Sequence, residues 1–290
     1  MSERAIPESA LRWLIVGADG LIGRHLYAAL SLGGAHVQGT SRRWGSPHLY
    51  LDLAADPESW ELPESDIVII AAAAPRIADC EADPEGTAQI NVHAPLQIAQ
   101  QVWQRGGFVV FLSSSGVFDG VNEVPGVMTA LQPLNAYGRQ KAEAEQGLRA
   151  AAGEQYGLSI IRPTKILGDD TPILREWQAS LSEGQSIHPH AWRWMAPITV
   201  AWAARAIVVI AASRERGIWH LSSASDVNFA EFARRWASLR GWPSQLVQPQ
   251  NGAASDMQRA RLDMSGTTRH FAIVPPTLDD TLSGLRGSTQ

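Results

Sequence analysis

A tyrosine and a lysine four residues apart, Tyr137 and Lys141, have the types and spacing that most directly suggest chemistry. On a helix these side chains lie on one face, close enough to interact. A tyrosine has an unperturbed pKa of about 10 and is a poor acid–base group at neutral pH, but an adjacent ammonium stabilises the phenolate and lowers that pKa. With four tyrosines and two lysines in 290 residues, roughly 0.03 such pairs are expected by chance. The pair therefore predicts a proton donor, Tyr137, whose pKa is lowered by Lys141.

The element that would bring a third group to this pair is a short apolar run. Residues 108–112 predict a buried strand, which ends in three serines at 113–115. Hydroxyls at the carboxyl end of a parallel strand lie where doubly wound folds bind their ligands. A serine hydroxyl there can bond the carbonyl oxygen that a tyrosine protonates. Ser114, Tyr137 and Lys141 together would protonate a carbonyl group as hydride arrives from a nicotinamide.

Three glycines, Gly17, Gly20 and Gly23, follow the apolar run 14–16 and precede a segment of helical periodicity. This order is typical of a strand, a tight phosphate-binding turn and a helix N-terminus. Gly17 permits the turn, Gly20 lets a pyrophosphate approach the backbone, and Gly23 lets the helix pack on the strand. The alternative is a glycine-rich turn that binds nothing. The dinucleotide contacts expected in this stretch are Gly17, Asp19, Gly20, Leu21, Ile22 and Gly23.

The end of the predicted second strand, 35–40, bears on the choice of nicotinamide cofactor. Folds of this type that prefer NAD usually place Asp or Glu there, where it bonds the adenosine ribose. Here the strand end reads Thr40-Ser41-Arg42-Arg43, without a carboxylate. Two guanidinium groups and hydroxyl donors suit a 2′-phosphate, because arginine binds phosphate bidentately. Ser41, Arg42 and Arg43 therefore predict NADP (NADPH), with NAD possible; the alternative is a solvated loop.

Three further segments are expected to contact the cofactor. A short strand over 48–51 leads into a neighbourhood that often touches adenine. The apolar strand 66–70 leads into alanines that would let a cofactor lie against the strand end, although simple helix-to-sheet packing explains them equally well. A helix over residues 86–105 carries an asparagine on its apolar face, and a buried asparagine needs hydrogen-bond partners. These segments contribute Asp52, Leu53, Ala71, Ala72, Ala73 and Asn91.

Composition excludes several other classes of protein. The chain has 290 residues, a net charge of −5 and 45% hydrophobic residues, typical of a soluble globular protein. No arginine cluster exceeds two residues, so we expect no nucleic-acid partner. One cysteine excludes an internal disulfide and a thiolate metal site, and we expect no metal. No apolar run reaches membrane-spanning length and residues 1–10 lack a signal peptide's apolar core, so we expect a cytoplasmic protein with no membrane partner.

The glycine turn, the serine run and the Tyr-x-x-x-Lys pair resemble the extended short-chain dehydrogenase/reductases, and in finer detail the dTDP-4-dehydrorhamnose reductase family of sugar-nucleotide-binding proteins. Residues 113–120, Ser-Ser-Ser-Gly-Val-Phe-Asp-Gly, are similar to that family's Ser-Thr-Asp-Tyr-Val-Phe-Asp-Gly, which places Ser114 on the catalytic hydroxyl. Residues 135–141, Asn-Ala-Tyr-Gly-Arg-Gln-Lys, match almost residue for residue. The family's tyrosine two residues after the catalytic hydroxyl is Gly116 here. Similar blocks run over residues 12–285, nearly the whole chain.

The resemblance implies an α/β fold: a doubly wound parallel sheet of the Rossmann, extended short-chain dehydrogenase type, with a smaller C-terminal substrate lobe. We expect a dinucleotide-binding domain over 1–165, to which 199–222 returns, and a substrate-binding lobe over 166–290. The segment 188–194, His-Pro-His-Ala-Trp-Arg-Trp, has no clear counterpart in the family. It is either a lid that stacks on nucleotide or sugar, or aromatic packing between the lobes.

The activity that the resemblance implies is NADPH-dependent reduction of the 4-keto group of a nucleotide-diphospho-deoxysugar. Tyr137 would donate the proton, Lys141 would lower its pKa and bond the nicotinamide ribose, and Ser114 would position the carbonyl. The expected partner is the sugar-nucleotide substrate, with a homodimer possible. One alternative is a sugar-nucleotide epimerase or dehydratase of the same superfamily. A second, from a different class, is a non-catalytic nucleotide-binding regulatory subunit.

Overall fold

The computed structural model of the protein describes residues 11–121, 124–252 and 259–285. These residues form two compact units. The first consists of the described residues up to Phe118 together with Ala130–Arg162 and Ala204–Trp219. The second consists of Asp119–Thr129, Pro163–Ala203 and the described residues from His220 onward.

The strands and helices of the described residues are numbered here in chain order. The strands are β1 (Arg12–Val16), β2 (His36–Ser41), β3 (Leu49–Tyr50), β4 (Ile67–Ile70), β5 (Phe108–Leu112), β6 (Leu158–Pro163), β7 (Ile166–Leu167), β8 (Trp194–Met195), β9 (Ile198–Thr199), β10 (Gly217–Leu221) and β11 (Val227–Asn228). The helices are α1 (Leu21–Leu32), α2 (Ile77–Ala82), α3 (Pro84–Ala88), α4 (Ala94–Gln104), α5 (Ala136–Ala152), α6 (Pro172–Ser182), α7 (Val200–Ser213), α8 (Phe229–Leu239), α9 (Ser265–Phe271) and α10 (Leu278–Gly284).

A seven-stranded sheet in the order β10-β6-β5-β4-β1-β2-β3 forms the framework of the first unit. The neighbouring pairs from β6 to β3 are parallel. The chain runs outward from β1 to β3 on one side and from β4 to β6 on the other, which is the doubly wound Rossmann arrangement. Strands β1, β4 and β5 read as continuous apolar runs because parallel strands of such a sheet are covered on both faces. The fold class expected from the sequence is confirmed.

Alternate residues of the central strands pack against two of the helices. Leu14, Val68 and Phe111 point to one face, where they join a buried cluster with residues of α4 and α5 such as Ile98 and Leu148. This contact follows from the period of two along a strand. It fixes α5, the helix of the tyrosine and lysine pair, against the sheet.

The helix expected over residues 86–105 is divided into three parts. Between α3 and α4 lies a π-helical turn, Gln89–His93, in which the N–H of Ala94 donates to the carbonyl of Gln89, five residues back. Pro95, in the first turn of α4, has no N–H to continue the regular ladder. The widened turn is the physical consequence, and it contains Asn91.

The second unit has two short ribbons and its own core. Strands β7 and β9 pair in parallel, and β8 and β11 pair antiparallel. Its core contains Trp177, Phe232 and Trp236. The first unit's segment Ala130–Arg162 ends at Arg162, and the described residues of 119–129 belong to the second unit.

Residues 119–121 and 124–129 lie in the second unit because its late segments hold them through backbone hydrogen bonds. The N–H of Arg259 donates to the carbonyl of Gly120, and that of Asp263 to the carbonyl of Pro125. In the described residues no helix combines the length and apolar character that crossing a bilayer requires.

Candidate active site

The glycine turn of the first unit joins β1 to α1. Gly17 has φ +88°, a conformation that favours glycine, and a Cβ there would lie 2.8 Å from Ala72. A Cβ at Gly23 would lie 2.1 Å from the carbonyl oxygen of Gly17. At Gly20 a Cβ would meet only that oxygen, at 3.2 Å. The outer two glycines are thus required by the packing of the turn itself, whereas Gly20 leaves its backbone open to approach.

Helix α1 presents free donors at this turn. Gly20 is its N-cap residue, no side chain caps it, and the first helical bond runs from the N–H of Arg24 to the carbonyl of Gly20. The N–H groups of Leu21, Ile22 and Gly23 therefore precede the first helical acceptor. Together with the positive end of the helix dipole, they fit the pyrophosphate of a dinucleotide.

A carboxylate lies at the end of β2, contrary to the expectation from the sequence. Oδ2 of Asp19 accepts a hydrogen bond from the Ser41 hydroxyl at 2.5 Å and from Nε of Arg43 at 3.1 Å. The Ser41 bond, and then the Arg43 contacts, hold the pKa of Asp19 below its usual range. The carboxylate comes from the glycine turn, which the N–H of Ala18 ties to the carbonyl of Thr40 at 2.8 Å. In the linear sequence Asp19 is far from the end of β2. The parallel pairing of β1 with β2 brings the two together.

The structure separates the two arginines that were expected to bind a 2′-phosphate. Arg43 joins Asp19 and Ser41, whereas Arg42 is exposed and outside this group. Asp52 is half-buried, and its carboxylate accepts from the N–H of Ala54 at 3.0 Å. Leu53 lies in the buried core of the first unit.

The alanines after β4 lie half-buried beside β1. The N–H groups of Ala71 and Ala72 both donate to the carbonyl of Val16, at 3.0 and 2.8 Å, and Ala73 follows them. Asn91 is fully buried and holds the next residue, Ala74, with its amide oxygen accepting at 2.8 Å and its amide nitrogen donating at 3.1 Å.

Asn91 also links the loop after β4 to α5. Its amide nitrogen donates to Oε1 of Gln140 at 2.7 Å, and Gln140 in turn donates to Thr87 and to the carbonyl of Pro84. Asn91 therefore acts as a bridge between the loop and the helix of the tyrosine and lysine pair. The π-helical turn places its side chain for both contacts.

Two polar side chains fix the start of α5. Asn135 is the N-cap residue and accepts from the N–H of Gly138 at 2.9 Å. Glu81 accepts from the N–H of Ala136 at 2.7 Å, although it belongs to α2. These bonds satisfy donors in the first turn of α5, and Tyr137 lies in that turn.

Ser114, Tyr137 and Lys141 come together in the first unit. The Ser114 hydroxyl accepts from the N–H of Gly116 at 3.0 Å and is close enough to the Tyr137 side chain to lower the pKa of the phenol. The Lys141 ammonium lies 6.0 Å from the centre of the Tyr137 ring and donates to the carbonyl of Leu112 at 2.8 Å. Ser114 follows β5 by two residues, so the three groups meet at the carboxyl edge of the sheet.

The pKa of Tyr137 is higher than the sequence predicted. Burial, with a smaller contribution from Cys80, raises it to about 12, and the Ser114 hydrogen bond lowers it only in part. Burial also lowers the pKa of Lys141, to about 8, although Glu145 opposes this change. The pKa of Tyr137 is therefore raised and not lowered as expected: desolvation is the largest effect, and Lys141, whose hydrogen bond goes to a backbone carbonyl, is not among the groups that lower it.

Sequence reasoning missed a buried ionic network next to these residues. Glu145 accepts from Nη2 of Arg162 at 2.6 Å and also from the Ser113 hydroxyl. Two signals could have revealed it: the spacing of four from Tyr137 to Lys141 continues to Glu145, and Arg162 ends an apolar strand, where a charge needs a partner.

The segment 188–194 is tied into the second unit along its length. The N–H of Ala191 donates to the carbonyl of Gln250, and that of Gln250 to the carbonyl of Pro189. The rings of His190 and Trp192 lie 4.3 Å apart.

In the described ranges no group of three His, Cys, Asp or Glu side chains is placed to hold a metal ion.

Comparison with known proteins identifies the family. The chain is 28% identical to methionine adenosyltransferase 2 subunit beta of Xenopus tropicalis over 252 residues, covering 82% of this chain and 75% of that protein. It is 25% identical to the probable low-salt glycan biosynthesis reductase Agl14 of Haloferax volcanii over 292 residues, covering 94% and 97%. The crystal structure of dTDP-4-dehydrorhamnose reductase from Bacillus anthracis in complex with NADP is similar with a TM-score of 0.81 and 20% identity, covering 98% and 99%.

The resemblance drawn from the sequence motifs is confirmed over almost the whole chain. One family model matches residues 11–285. This range includes both the glycine turn and the Tyr-x-x-x-Lys pair. The chain belongs to the RmlD substrate binding domain family.

Proposed function

We propose that the protein reduces the 4-keto group of a nucleotide-diphospho-deoxysugar with NADPH. The observation that carries this proposal is the grouping of Ser114, Tyr137 and Lys141: Ser114 is close enough to Tyr137 to lower its pKa, and Lys141 lies one turn further along the same helix. A hydroxyl, a phenol and an ammonium at the carboxyl edge of a parallel sheet form an acid site for a carbonyl oxygen. The similarity to the Haloferax volcanii reductase and to the Bacillus anthracis enzyme supports the same reaction class.

The first unit has the features that NADPH would need. The turn Gly17–Gly23 would hold the pyrophosphate with the N–H groups of Leu21, Ile22 and Gly23, and Arg43 and Ser41 would meet the adenosine 2′-phosphate. When bound, NADPH supplies the hydride. The chain's own residues must then supply a proton and orient the carbonyl.

The raised pKa keeps Tyr137 protonated but makes it a weak acid, so the site must stabilise the phenolate that forms when the proton leaves. A phenol with a pKa of about 12 is fully protonated at neutral pH, so the acid is loaded before the reaction. Once the proton passes to the carbonyl oxygen, the Ser114 hydroxyl stabilises the phenolate by hydrogen bonding. Lys141, with a pKa of about 8, is mostly an ammonium at neutral pH and adds a nearby positive charge.

Turnover of 4-keto-deoxysugar nucleotides with NADPH tests the proposal. We expect Tyr137→Phe to lower kcat by about 10²–10⁴-fold, because it removes a general acid, and to leave NADPH affinity nearly unchanged. Loss of nicotinamide absorbance gives the rate, and fluorescence titration gives the affinity. Tyr156→Phe, which removes the hydroxyl of a tyrosine stacked on Trp103, is the matched control. If the Tyr137→Phe variant kept more than about a third of wild-type activity, Tyr137 would not be the general acid.

A second candidate function is that of a non-catalytic subunit. It rests on the similarity to methionine adenosyltransferase 2 subunit beta. A wild-type protein that binds NADPH but reduces none of the 4-keto-deoxysugar nucleotides tested would favour the role of a non-catalytic subunit. Product formation without net loss of NADPH would instead favour an epimerase or dehydratase.

A further inference from the structure

Three buried polar side chains form a network that the proposed chemistry does not use. Ser113, Glu145 and Arg162 are each almost completely buried. The Glu145 carboxylate accepts hydrogen bonds from Nε of Arg162, at 2.9 and 3.1 Å to its two oxygens, and from Nη2 of Arg162 at 2.6 Å. It also accepts one from the Ser113 hydroxyl. Both carboxylate oxygens are thereby satisfied, which buried charges require.

The network joins three elements of the first unit. Ser113 directly follows β5, Arg162 lies near the end of β6, and Glu145 is in α5. The Arg162 guanidinium also lies over the Phe118 ring, 5.2 Å from its centre. Glu145 is therefore the point at which the ends of two neighbouring strands are tied to one helix.

The same helix carries the proposed acid site. Tyr137, Lys141 and Glu145 follow one another at a spacing of four, so they share one face of α5. Lys141 donates to the carbonyl of Leu112, and Glu145 accepts from the next residue, Ser113. The residue after that is Ser114. Two successive bonds thus hold the strand end against α5 at the position of the proposed site.

We propose that Glu145 is a positioning residue: it ties the strand end that carries Ser114 to the helix that carries Tyr137, and its carboxylate stabilises the ammonium of Lys141. This inference rests on the proposed roles of Tyr137 and Lys141. Glu145 touches neither substrate nor cofactor in this scheme, and it acts through the groups beside it.

The groups that face Lys141 come from three elements. Tyr137 and Glu145 lie on its own helix, Cys80 on α2, and the Phe111 ring, 4.4 Å away, on β5. Among them Glu145 exerts the largest effect that favours the ammonium, and Cys80 adds a smaller one. Removal of the Glu145 charge should therefore release a proton from Lys141 at lower pH.

The effect of Glu145 on the pKa of Lys141 can be measured without turnover because the chain has few lysines. Lys141 and Lys165 are the two lysines of the chain, so a protein labelled with ¹⁵N-lysine gives two side-chain signals, which Lys165→Arg assigns. In Glu145→Gln we expect the titration midpoint of Lys141 to fall by about one pH unit, the effect of losing a nearby opposite charge. Lys165 serves as the internal reference, and Glu143→Gln, an exposed glutamate of the same helix, should leave both midpoints unchanged.

Glu145→Gln leaves the Arg162 charge buried without its partner, so the fold needs a safeguard. The double variant Glu145→Gln/Arg162→Met removes both charges, and replacement of both members of a buried pair is often tolerated. We expect the Lys141 midpoint to fall in this variant too, by less than in Glu145→Gln, because no unpaired Arg162 charge remains. An unchanged midpoint in either folded variant overturns the effect of Glu145 on Lys141.

The tie to the strand end has its own test. Ser113→Ala keeps the ion pair and removes only the bond to β5, so kcat should fall several-fold while the KM for NADPH stays constant. Unchanged kcat would overturn the positioning of Ser114. If the wild type reduces no substrate, the proposed function fails, whereas the Lys141 titration still decides the effect of Glu145.

Discussion

Two arginine–carboxylate pairs in the first unit have similar distances and opposite surroundings. Arg162 and Glu145 are 2.6 Å apart, with side chains only 2% and 1% exposed. Arg43 and Asp19 are 2.9 Å apart, but their side chains are 69% and 22% exposed. The first pair lies at the proposed acid site and the second at the proposed nucleotide site.

The difference in exposure decides what each pair can do. A surface pair contributes about 0–1 kcal/mol to stability, so a ligand phosphate can replace Asp19 beside Arg43 at little cost. A buried pair cannot be opened so easily, because the charge left behind has lost its water. The exposed pair is therefore suited to ligand discrimination, and the buried pair to holding a fixed geometry.

Breaking the buried pair should have the largest effect. In Arg162→Met the Glu145 carboxylate stays buried without a counter-charge, and we expect the free energy of unfolding to fall by about 3–5 kcal/mol. Urea denaturation followed by circular dichroism measures it. Arg139→Met, which opens the exposed pair with Glu81, is the control and should change stability by less than about 1 kcal/mol. Equal losses in the two variants would contradict the comparison.

The buried lysine beside this pair should make stability depend on pH. In the folded chain Lys141 loses its proton near pH 8, whereas in the unfolded chain it keeps it to about pH 10.5. Between these values the unfolded state binds more protons, so this residue makes the free energy of unfolding rise with pH. Below pH 8 both states are protonated and burial of the ammonium costs roughly 3 kcal/mol, at about 1.4 kcal/mol per pKa unit.

Comparison of the wild type with Lys141→Met isolates this contribution. Methionine does not titrate. The free energy of unfolding of the wild type should therefore increase relative to that of the variant as the pH rises from 8 to 10.5. Denaturant titrations at several pH values measure the difference. A constant difference over that range would show that Lys141 keeps an ordinary pKa in the folded chain.

The fold and the grouping of Ser114, Tyr137 and Lys141 could be predicted from the sequence because both leave local signals. Apolar runs such as Phe108–Leu112 mark buried parallel strands, and the spacing of Tyr137 and Lys141 places them on one face wherever a helix forms. Asn91 was recognised because a polar residue on an apolar face needs partners, although the π-helical turn around it was not foreseen.

The errors arose where distant segments meet. Asp19 reaches the end of β2 only through strand pairing, so the reading of Thr40-Ser41-Arg42-Arg43 as a site without a carboxylate was wrong. The pKa of Tyr137 depends on the burial that tertiary packing creates, which the spacing of two residues does not encode. The network around Glu145 likewise needs β5, β6 and α5 together.

The exposed pair offers the smallest effect, on cofactor preference. In the proposed complex Arg43 would exchange its contact with Asp19, worth about 0–1 kcal/mol, for a charge-assisted bond to a 2′-phosphate, worth roughly 1.5–3 kcal/mol. Arg43→Ala should therefore lower the preference for NADPH over NADH by about tenfold, at about 1.4 kcal/mol per decade. Arg42→Ala is the matched control, since Arg42 lies outside the Asp19 group, and we expect a smaller change.

Asp19→Asn should act in the opposite direction. It removes both the competitor for Arg43 and a negative charge that would face the proposed 2′-phosphate, so NADPH preference should rise by about two- to fivefold, the equivalent of up to about 1 kcal/mol. The ratio of kcat/KM for the two cofactors measures it, and added salt should shrink the gain because exposed charges are screened. If Asp19→Asn lowered affinity for NADPH and NADH equally, the carboxylate would instead support the glycine turn, and Arg43 would bind the phosphate without competition.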